Sequence, residues 1–267
     1  MCDNFPNNFI NARDFTFAPF PHPLRPDGTG DSGELELATS KTDPNEQYII
    51  KNGREFPELA CNEFMYHKVA TALELYTQPV KLINGSADYR RSAAIRYVPN
   101  AERFNFNDSS ADNYENNFRA NFEFEALYVI VNEEDSREYY LDEQKRLFKL
   151  DNAAAFTVLQ TLILYFDGNP IGQFFHANTI NHSLNSVGYG WYGIKYKDFK
   201  KRFGQAAAEA YISVIERFIE FDETVLEEAY SALEKHYPEA LSCYYRDIIR
   251  IRKQTCQKFL DEIAVAV

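Results

Sequence analysis

Lys51 closes a short apolar stretch, "QYIIK" (47–51), and Glu63 lies twelve residues further on, inside a segment that opens at Pro57 with helical spacing. A lysine and a glutamate placed this way suit the holding of phosphate. The ammonium neutralises phosphate oxygens, and the glutamate keeps the ammonium in position through a charge-assisted bond. Upstream, Gly28, Gly30 and Gly33 spell G-x-G-x-x-G, and glycines let backbone N–H groups approach phosphate closely. The plainer alternative is a solvated strand-end lysine, a surface glutamate weakly coupled to it, and a glycine turn selected for its backbone alone. Asp27 and Asp31 flank the glycines and would repel an anion.

The elements that must position these residues follow from periodicity. "FTFAPF" (15–20), "ELELAT" (34–39) and "QYIIK" read as strands, with turn chemistry in "PHPLRPDGTGDSG" (21–33) and "SKTDPNE" (40–46). The spacing predicts a helix from Pro57 to about Tyr76, with Met65, Val69, Ala72, Leu73 and Tyr76 on its apolar stripe. Glu63 falls at the edge of that stripe and Asn62 inside it. Proline followed by Glu58 suits the free N–H groups and dipole of a first turn. "QPVKLI" (78–83) and "SAAIRYV" (92–98) then read as two strands. Residues 99–121 read as a long loop. "FEFEALYVIV" (122–131) reads as a strand returning through "NEEDS" beside "REYYLDEQKRLFKL" (137–150). Residues 152–166 are apolar on nearly all sides and predict a buried central helix. Three amphipathic helices are predicted over about 198–220, 223–236 (N-capped by Asp222) and 238–263.

Composition narrows the possibilities. At 267 residues the chain can bury a large core. Its net charge of −12 disfavours binding to nucleic-acid backbones. Cys2, Cys61, Cys243 and Cys256 have neither C-x-x-C nor disulfide-framework spacing and read as free thiols of a reducing cytosol. No signal peptide is visible at the start, and "AAAFTVLQTLILYF" (153–166) is too short to span a bilayer. A cytoplasmic protein without membrane contact is therefore expected. His176 and His182 are six apart, which fits no zinc site, so no metal ligand set is assigned. Ser183 and Ser186 lack a nucleophile elbow. "GYGWYG" (188–193) reads as aromatic cover of the core. Glu133, Glu134 and Asp135 read as hydrated charge at a turn, and Glu227 and Glu228 as a hydrated helix face.

A glycine turn between strands, a lysine closing the next strand and a glutamate on the following helix form the N-lobe order of protein-kinase-like folds. More narrowly, "YIIKNGREFPELACNEFMYHKVATALELYTQPVKLI" (48–83) resembles the N-lobe of HipA-like kinases, through Lys51, Asn62-Glu63, Lys68-Val69-Ala70 and Gln78-Pro79-Val80. The resemblance covers some 50–60 residues well and the helical C-terminal part loosely. It implies an α+β, two-lobed protein-kinase-like fold. A small β-rich N-lobe with one helix would span 1–100, a connecting loop and hairpin 101–150, and a mainly helical C-lobe 151–267. It also implies ATP and Mg²⁺ as ligands, with Gly28, Gly30, Gly33, Lys51 and Glu63 binding nucleotide.

The resemblance further implies an Asn-x-Asp-Arg-His-x-x-Asn loop and a later Asp near a glycine. Placed on "IGQFFHAN" (171–178), the aspartate position becomes Phe175 and the arginine His176, and no Asp-x-Gly follows residue 167. Asp167 and Asn169 are the candidate substitutes for the base and metal roles. The expectation is thus a degenerate pseudokinase working through a protein partner, with weak or no nucleotide binding. An active Ser/Thr phosphotransferase with relocated groups and an unrelated α+β interaction protein are the alternatives.

Overall fold

Strand parity and helix burial together aim Lys51. Along β5 (Gln47–Lys51), Tyr48 and Ile50 enter a small apolar cluster with Phe15, Ala38, Ile83 and Ala94. Successive side chains alternate between faces, so Ile49 and Lys51 look the other way, toward helix α1 (Pro57–Ala72). On that side lie Val80, Leu82, Ala93 and Ile95, in the main core that α1 joins. The structure, a computed structural model, describes residues 8–20, 29–30, 33–51, 57–85, 92–105, 114–132, 138–152, 155–156, 186–189, 192–236 and 239–265.

Seven strands make the main sheet. β1 (Phe9–Asn11), β6 (Val80–Asn84), β7 (Ala93–Arg96), β5, β4 (Gly33–Ser40) and β2 (Phe15–Pro19) follow one another, and β3 (Thr29–Gly30) pairs with β4. Among the described residues only the β1–β6 pairing is parallel. The strands expected at 15–20, 34–39, 47–51, 78–83 and 92–98 are all present within a few residues. Helix α1 is buried on nearly all sides from Ala60 to Tyr66, because the sheet is not its only neighbour. Asn62 and Glu63 are both buried, at 6% and 1% exposure, where an amphipathic reading left Glu63 at an edge.

His67, further along α1, has a buried Nδ1 with no hydrogen-bond partner. Burial, with the charge of Lys68 adding to it, pulls its imidazole down to about 3. The unfolded chain takes up this proton near the ordinary histidine value, whereas the fold refuses it until far lower pH. Stability is therefore lost as pH falls from about 6.5 toward 3. At pH 4.5 this one ring should cost about 3 kcal/mol. Chemical denaturation at pH 7 and 4.5 should show a smaller acid loss in His67→Met than in the wild type. An equal loss in both would place the acid sensitivity elsewhere.

Two expectations are corrected downstream. Residues 122–131 are not a strand but most of helix α2 (Tyr114–Ile130), which also takes the last part of the expected loop. The Phe-Glu-Phe-Glu alternation imitates a strand because both phenylalanines and Glu125 are buried on this helix, with Glu123 only partly exposed and paired to Arg119. Phe124 packs against Tyr139 with ring centroids 5.9 Å apart, and buried Glu125 accepts a 3.2 Å hydrogen bond from the Tyr139 hydroxyl. The hairpin lies wholly within the second segment, as β9 (Glu138–Leu141) and β10 (Leu147–Leu150), with β8 (Glu102–Arg103) alongside β9. Asn117 of α2 ties the hairpin turn down, donating to the Lys145 carbonyl and accepting from the Leu147 amide.

The helix expected at 152–166 begins otherwise than supposed: Ala155 and Phe156 form a turn, with Phe156 at φ +61°. Residues 157–166 lie outside the described residues. After the strand pair β11 (Ser186–Tyr189) and β12 (Tyr192–Lys195) come three long helices close to their expected bounds. These are α3 (Tyr196–Glu220), α4 (Glu227–His236) and α5 (Glu239–Val265). Helix α3 kinks at Gly204, whose φ of +87° is open to glycine and strained for other residues. The expected cap is present: the Asp222 side chain accepts from the Thr224 amide at 2.9 Å, opening a short 3-10 turn before α4. Phe122 of α2 packs against Phe199 and Phe203 of α3, centroids 5.2 Å apart in each pair, joining the two halves of the core. No helix among the described residues is long and apolar enough to cross a membrane.

Candidate functional site

Lys51 meets two carboxylates. Its Nζ donates to Glu63 Oε1 at 2.6 Å and also to Asp151 Oδ1. The Lys51 side chain is 13% exposed, Glu63 1% and Asp151 37%, so the pair with Glu63 is interior and Asp151 is the member that faces solvent. Burial alone would lower the proton affinity of Lys51. The charges of Glu63 and Asp151 outweigh it and raise the ammonium above its ordinary range. Stability from this pairing is thus present throughout neutral pH and is lost only above the usual lysine titration.

Asp151 arrives from the β9–β10 hairpin. It directly follows β10 and sits at φ +59°, a left-handed conformation that Asp and Asn tolerate better than most residues. That turn brings Asn152 onto Glu63. The Asn152 backbone amide donates to Glu63 Oε1 at 2.9 Å, and its Nδ2 to Oε2 at 3.3 Å. Lys149, 1% exposed on β10, fixes the turn from behind, reaching the Asp151 carbonyl at 2.8 Å and Asn152 Oδ1 at 2.9 Å.

Helix α1 is held in this position from its other sides too. The Tyr245 hydroxyl of α5 donates to Asn62 Oδ1 at 2.5 Å. Arg217 of α3 donates to the Leu73 carbonyl just beyond the C-terminal end of α1, where a cation complements the helix dipole. Past that end, the Tyr76 hydroxyl donates to Asp142 of the hairpin at 2.8 Å.

The glycines bear on the same end of the sheet. Lys51 pairs in register with Leu35 of β4, and Gly33 lies two residues further along, about 7 Å. Gly33 pairs with Gly30, so the β3–β4 hairpin projects past Lys51. Gly28 lies outside the described residues, as do Asp167, Asn169, Phe175, His176, His182 and Trp191. Reading the sequence missed Asp151, Asn152 and Lys149. From sequence the candidate carboxylate is Asp167, outside the described residues; among the described residues Asp151 is bonded to Lys51. Helix α2 and its hairpin deliver this acid earlier in the chain than the segment after residues 152–166. The one sequence signal was "KLDN" (149–152), a lysine inside an apolar strand followed at once by an acid and an amide.

The donor set is specific: one fixed ammonium, one buried carboxylate holding it, one half-exposed carboxylate beside it, and a glycine hairpin above. Among the described residues no group of three or more His, Cys, Asp or Glu could hold a metal unaided. A hard divalent ion at Asp151 would have to bring further oxygen ligands with it, as Mg²⁺ does when bound through one or two carboxylates and substrate phosphates.

A curled sheet carrying a lysine, a helix carrying its glutamate, and a helical second half reached through a hairpin that ends in an aspartate define a two-lobed, protein-kinase-like α+β fold. Among solved structures the chain is similar to that of the Helicobacter pylori proinflammatory kinase CtkA, with a TM-score of 0.59. The likeness covers 92% of this chain and 96% of that one at 11% sequence identity, so it is a likeness of fold. No family model matches the chain. Nor does any curated protein.

Proposed function

We propose that the chain binds Mg²⁺·ATP and is a phosphotransferase of the protein-kinase type. The observation that carries this is the convergence of Lys51 on both Glu63 and Asp151. In protein kinases the strand lysine paired to the helix glutamate, and the metal-binding aspartate, are the two parts that must be in place together. Here Lys51 would neutralise phosphate oxygens, Glu63 would hold Lys51, and Asp151 would supply a carboxylate to the metal. The β3–β4 glycine hairpin would lie over the phosphates. Asp151 would hold the metal together with the nucleotide, and the metal would supply positive charge that offsets the charge on the phosphates. In kinases the residue that accepts the substrate's hydroxyl proton precedes the metal aspartate in the chain. Glu133, Glu134 and Asp135 fall in that interval here, between α2 and β9.

A second reading, a nucleotide-binding pseudokinase acting on a protein partner, draws support from one observation. Among the described residues, Glu63 and Asp151 are the only carboxylates bonded to Lys51, and both already have roles in that reading.

Calorimetry or thermal shift with ATP, with and without Mg²⁺, tests the shared part. At 100 times Kd, ligand should stabilise the fold by about 2.7 kcal/mol, a rise of roughly 5 °C or more for a chain of this size. No shift at millimolar Mg²⁺·ATP sinks the enzyme and leaves only a pseudokinase that does not use nucleotide. Phosphate transfer from labelled ATP to the protein or to a generic acceptor separates them. Transfer that is lost in one of Glu133→Gln, Glu134→Gln or Asp135→Asn with nucleotide affinity kept supports the enzyme. Binding without transfer supports the pseudokinase.

A further inference from the structure

We propose that Asn152, oriented by Lys149, is a positioning residue that keeps Glu63 against Lys51 without any ligand or activating modification, so that the lysine–glutamate pair is permanently assembled. For its consequence this rests on the nucleotide-site reading above, but the coupling itself is a statement about three side chains.

The geometry is a one-way relay. The Asn152 amide has an acceptor end and a donor end. Its oxygen accepts a hydrogen bond from the Lys149 ammonium at 2.9 Å, which leaves its nitrogen to donate to Glu63 Oε2 at 3.3 Å. The flipped amide would set NH₂ against an ammonium and C=O against a carboxylate, so the two charges fix its orientation. The Lys149 cation also polarises the amide and strengthens its donation to Glu63. With the Asn152 backbone amide at 2.9 Å on Oε1, the turn supplies two of the three hydrogen bonds traced to Glu63, and Lys51 supplies the third. Glu63 is 1% exposed and Lys149 1%, so no solvent competes for these groups.

In protein kinases the lysine–glutamate pair is a controlled element, set by the position of its helix and by loop phosphorylation. Here the turn that carries Asp151 also bolts down Glu63. Tyr245 on Asn62, one residue away on α1, closes the other side. A helix so held has no outward position to be recruited from.

The decisive variant is Asn152→Asp, nearly identical in shape. The new carboxylate still accepts from Lys149 but faces Glu63 with like charge instead of an amide proton. Crystal structures without nucleotide should show Lys51–Glu63 within 3 Å in the wild type and separated by more than 4 Å in Asn152→Asp. The affinity for Mg²⁺·ATP should fall at least tenfold. Glu63→Gln added to Asn152→Asp exchanges amide and carboxylate between the two positions, so it should restore most of that loss; generic destabilisation gives no such rescue. An intact pair in the Asn152→Asp crystal, or no recovery in the double variant, overturns the proposal. If the wild type binds no nucleotide the functional reading falls, yet the two crystal structures still decide the coupling. Should Asn152→Asp not fold, Asn152→Ser removes the side-chain relay with less disturbance, and an unchanged Lys51–Glu63 distance there counts against us.

Discussion

Asp151→Asn should abolish the dependence of ATP binding on Mg²⁺ while leaving metal-free ATP binding intact. Asp151 is the solvent-facing carboxylate on Lys51, about a third exposed. An amide of the same shape is a much poorer ligand for a hard dication than a carboxylate. Lys51 loses one of its two acidic partners in this variant but keeps Glu63 at 2.6 Å, so the phosphate-neutralising ammonium stays in place. Phosphate no longer competes with Asp151 for that ammonium, and affinity for ATP in EDTA should hold or rise slightly. The wild type should bind ATP at least tenfold more tightly with Mg²⁺ than in EDTA, about 1.4 kcal/mol, and in Asp151→Asn the ratio should collapse toward one. The cost to the free protein should stay within about 1 kcal/mol, because a partly exposed ion pair is screened by solvent. Titrations with and without Mg²⁺, at matched ionic strength, give the ratio directly. A variant that keeps the full Mg²⁺ effect would remove Asp151 from the metal role and leave its bond to Lys51 as structural.

Half of this site was legible from sequence and half was not, for reasons of chain distance and burial. Lys51 and Glu63 sit on elements whose signals are local. Alternation in "QYIIK" fixes which way Lys51 faces, and Pro57 with apolar 3/4 spacing sets the helix that carries Glu63. The three C-terminal helices were legible in the same way, because each has one wet face. Asp151 is a hundred residues from Lys51, and beyond the short "KLDN" little in its neighbourhood marks it, since its role comes from where α2 and the β9–β10 hairpin deliver the chain. That delivery was obscured by α2 itself. A helix that buries Asn117, Asn121 and Glu125 beside Phe122 and Phe124 has no clean polar face, so its pattern drifts toward a strand's. Lys149 illustrates the same difficulty: a lysine in a strand reads as solvent-facing, yet its three contacted oxygens are carbonyls and an amide of the turn it stabilises.

Glu63→Ala should be among the most destabilising single changes in the chain, at about 3–5 kcal/mol, because it strips a buried network of its one anion, among the described residues, other than Asp151. The truncation leaves two donors of Asn152, the backbone amide and Nδ2, without the acceptor they now share. Each donor left dry costs about 1–3 kcal/mol. Lys51, mostly buried, retains Asp151 alone, which softens the loss on its side. Glu63→Gln should cost less, since Oε1 still accepts from Lys51 and from the Asn152 amide. Its penalty comes from setting an NH₂ group against Asn152 Nδ2. Lys51→Met combined with Glu63→Leu separates function from stability. Replacing both members of a buried pair by apolar groups is often neutral, so the double variant should recover the ion-pair part of the Glu63→Ala loss. It should not recover the part owed to Asn152, and it should bind no nucleotide. Denaturant midpoints for the four proteins, at unchanged m-value, measure this ordering. If Glu63→Ala costs under 1 kcal/mol, the network around Glu63 contributes little to the fold. If the double variant is no more stable than Glu63→Ala, the interior charges are there for the fold itself.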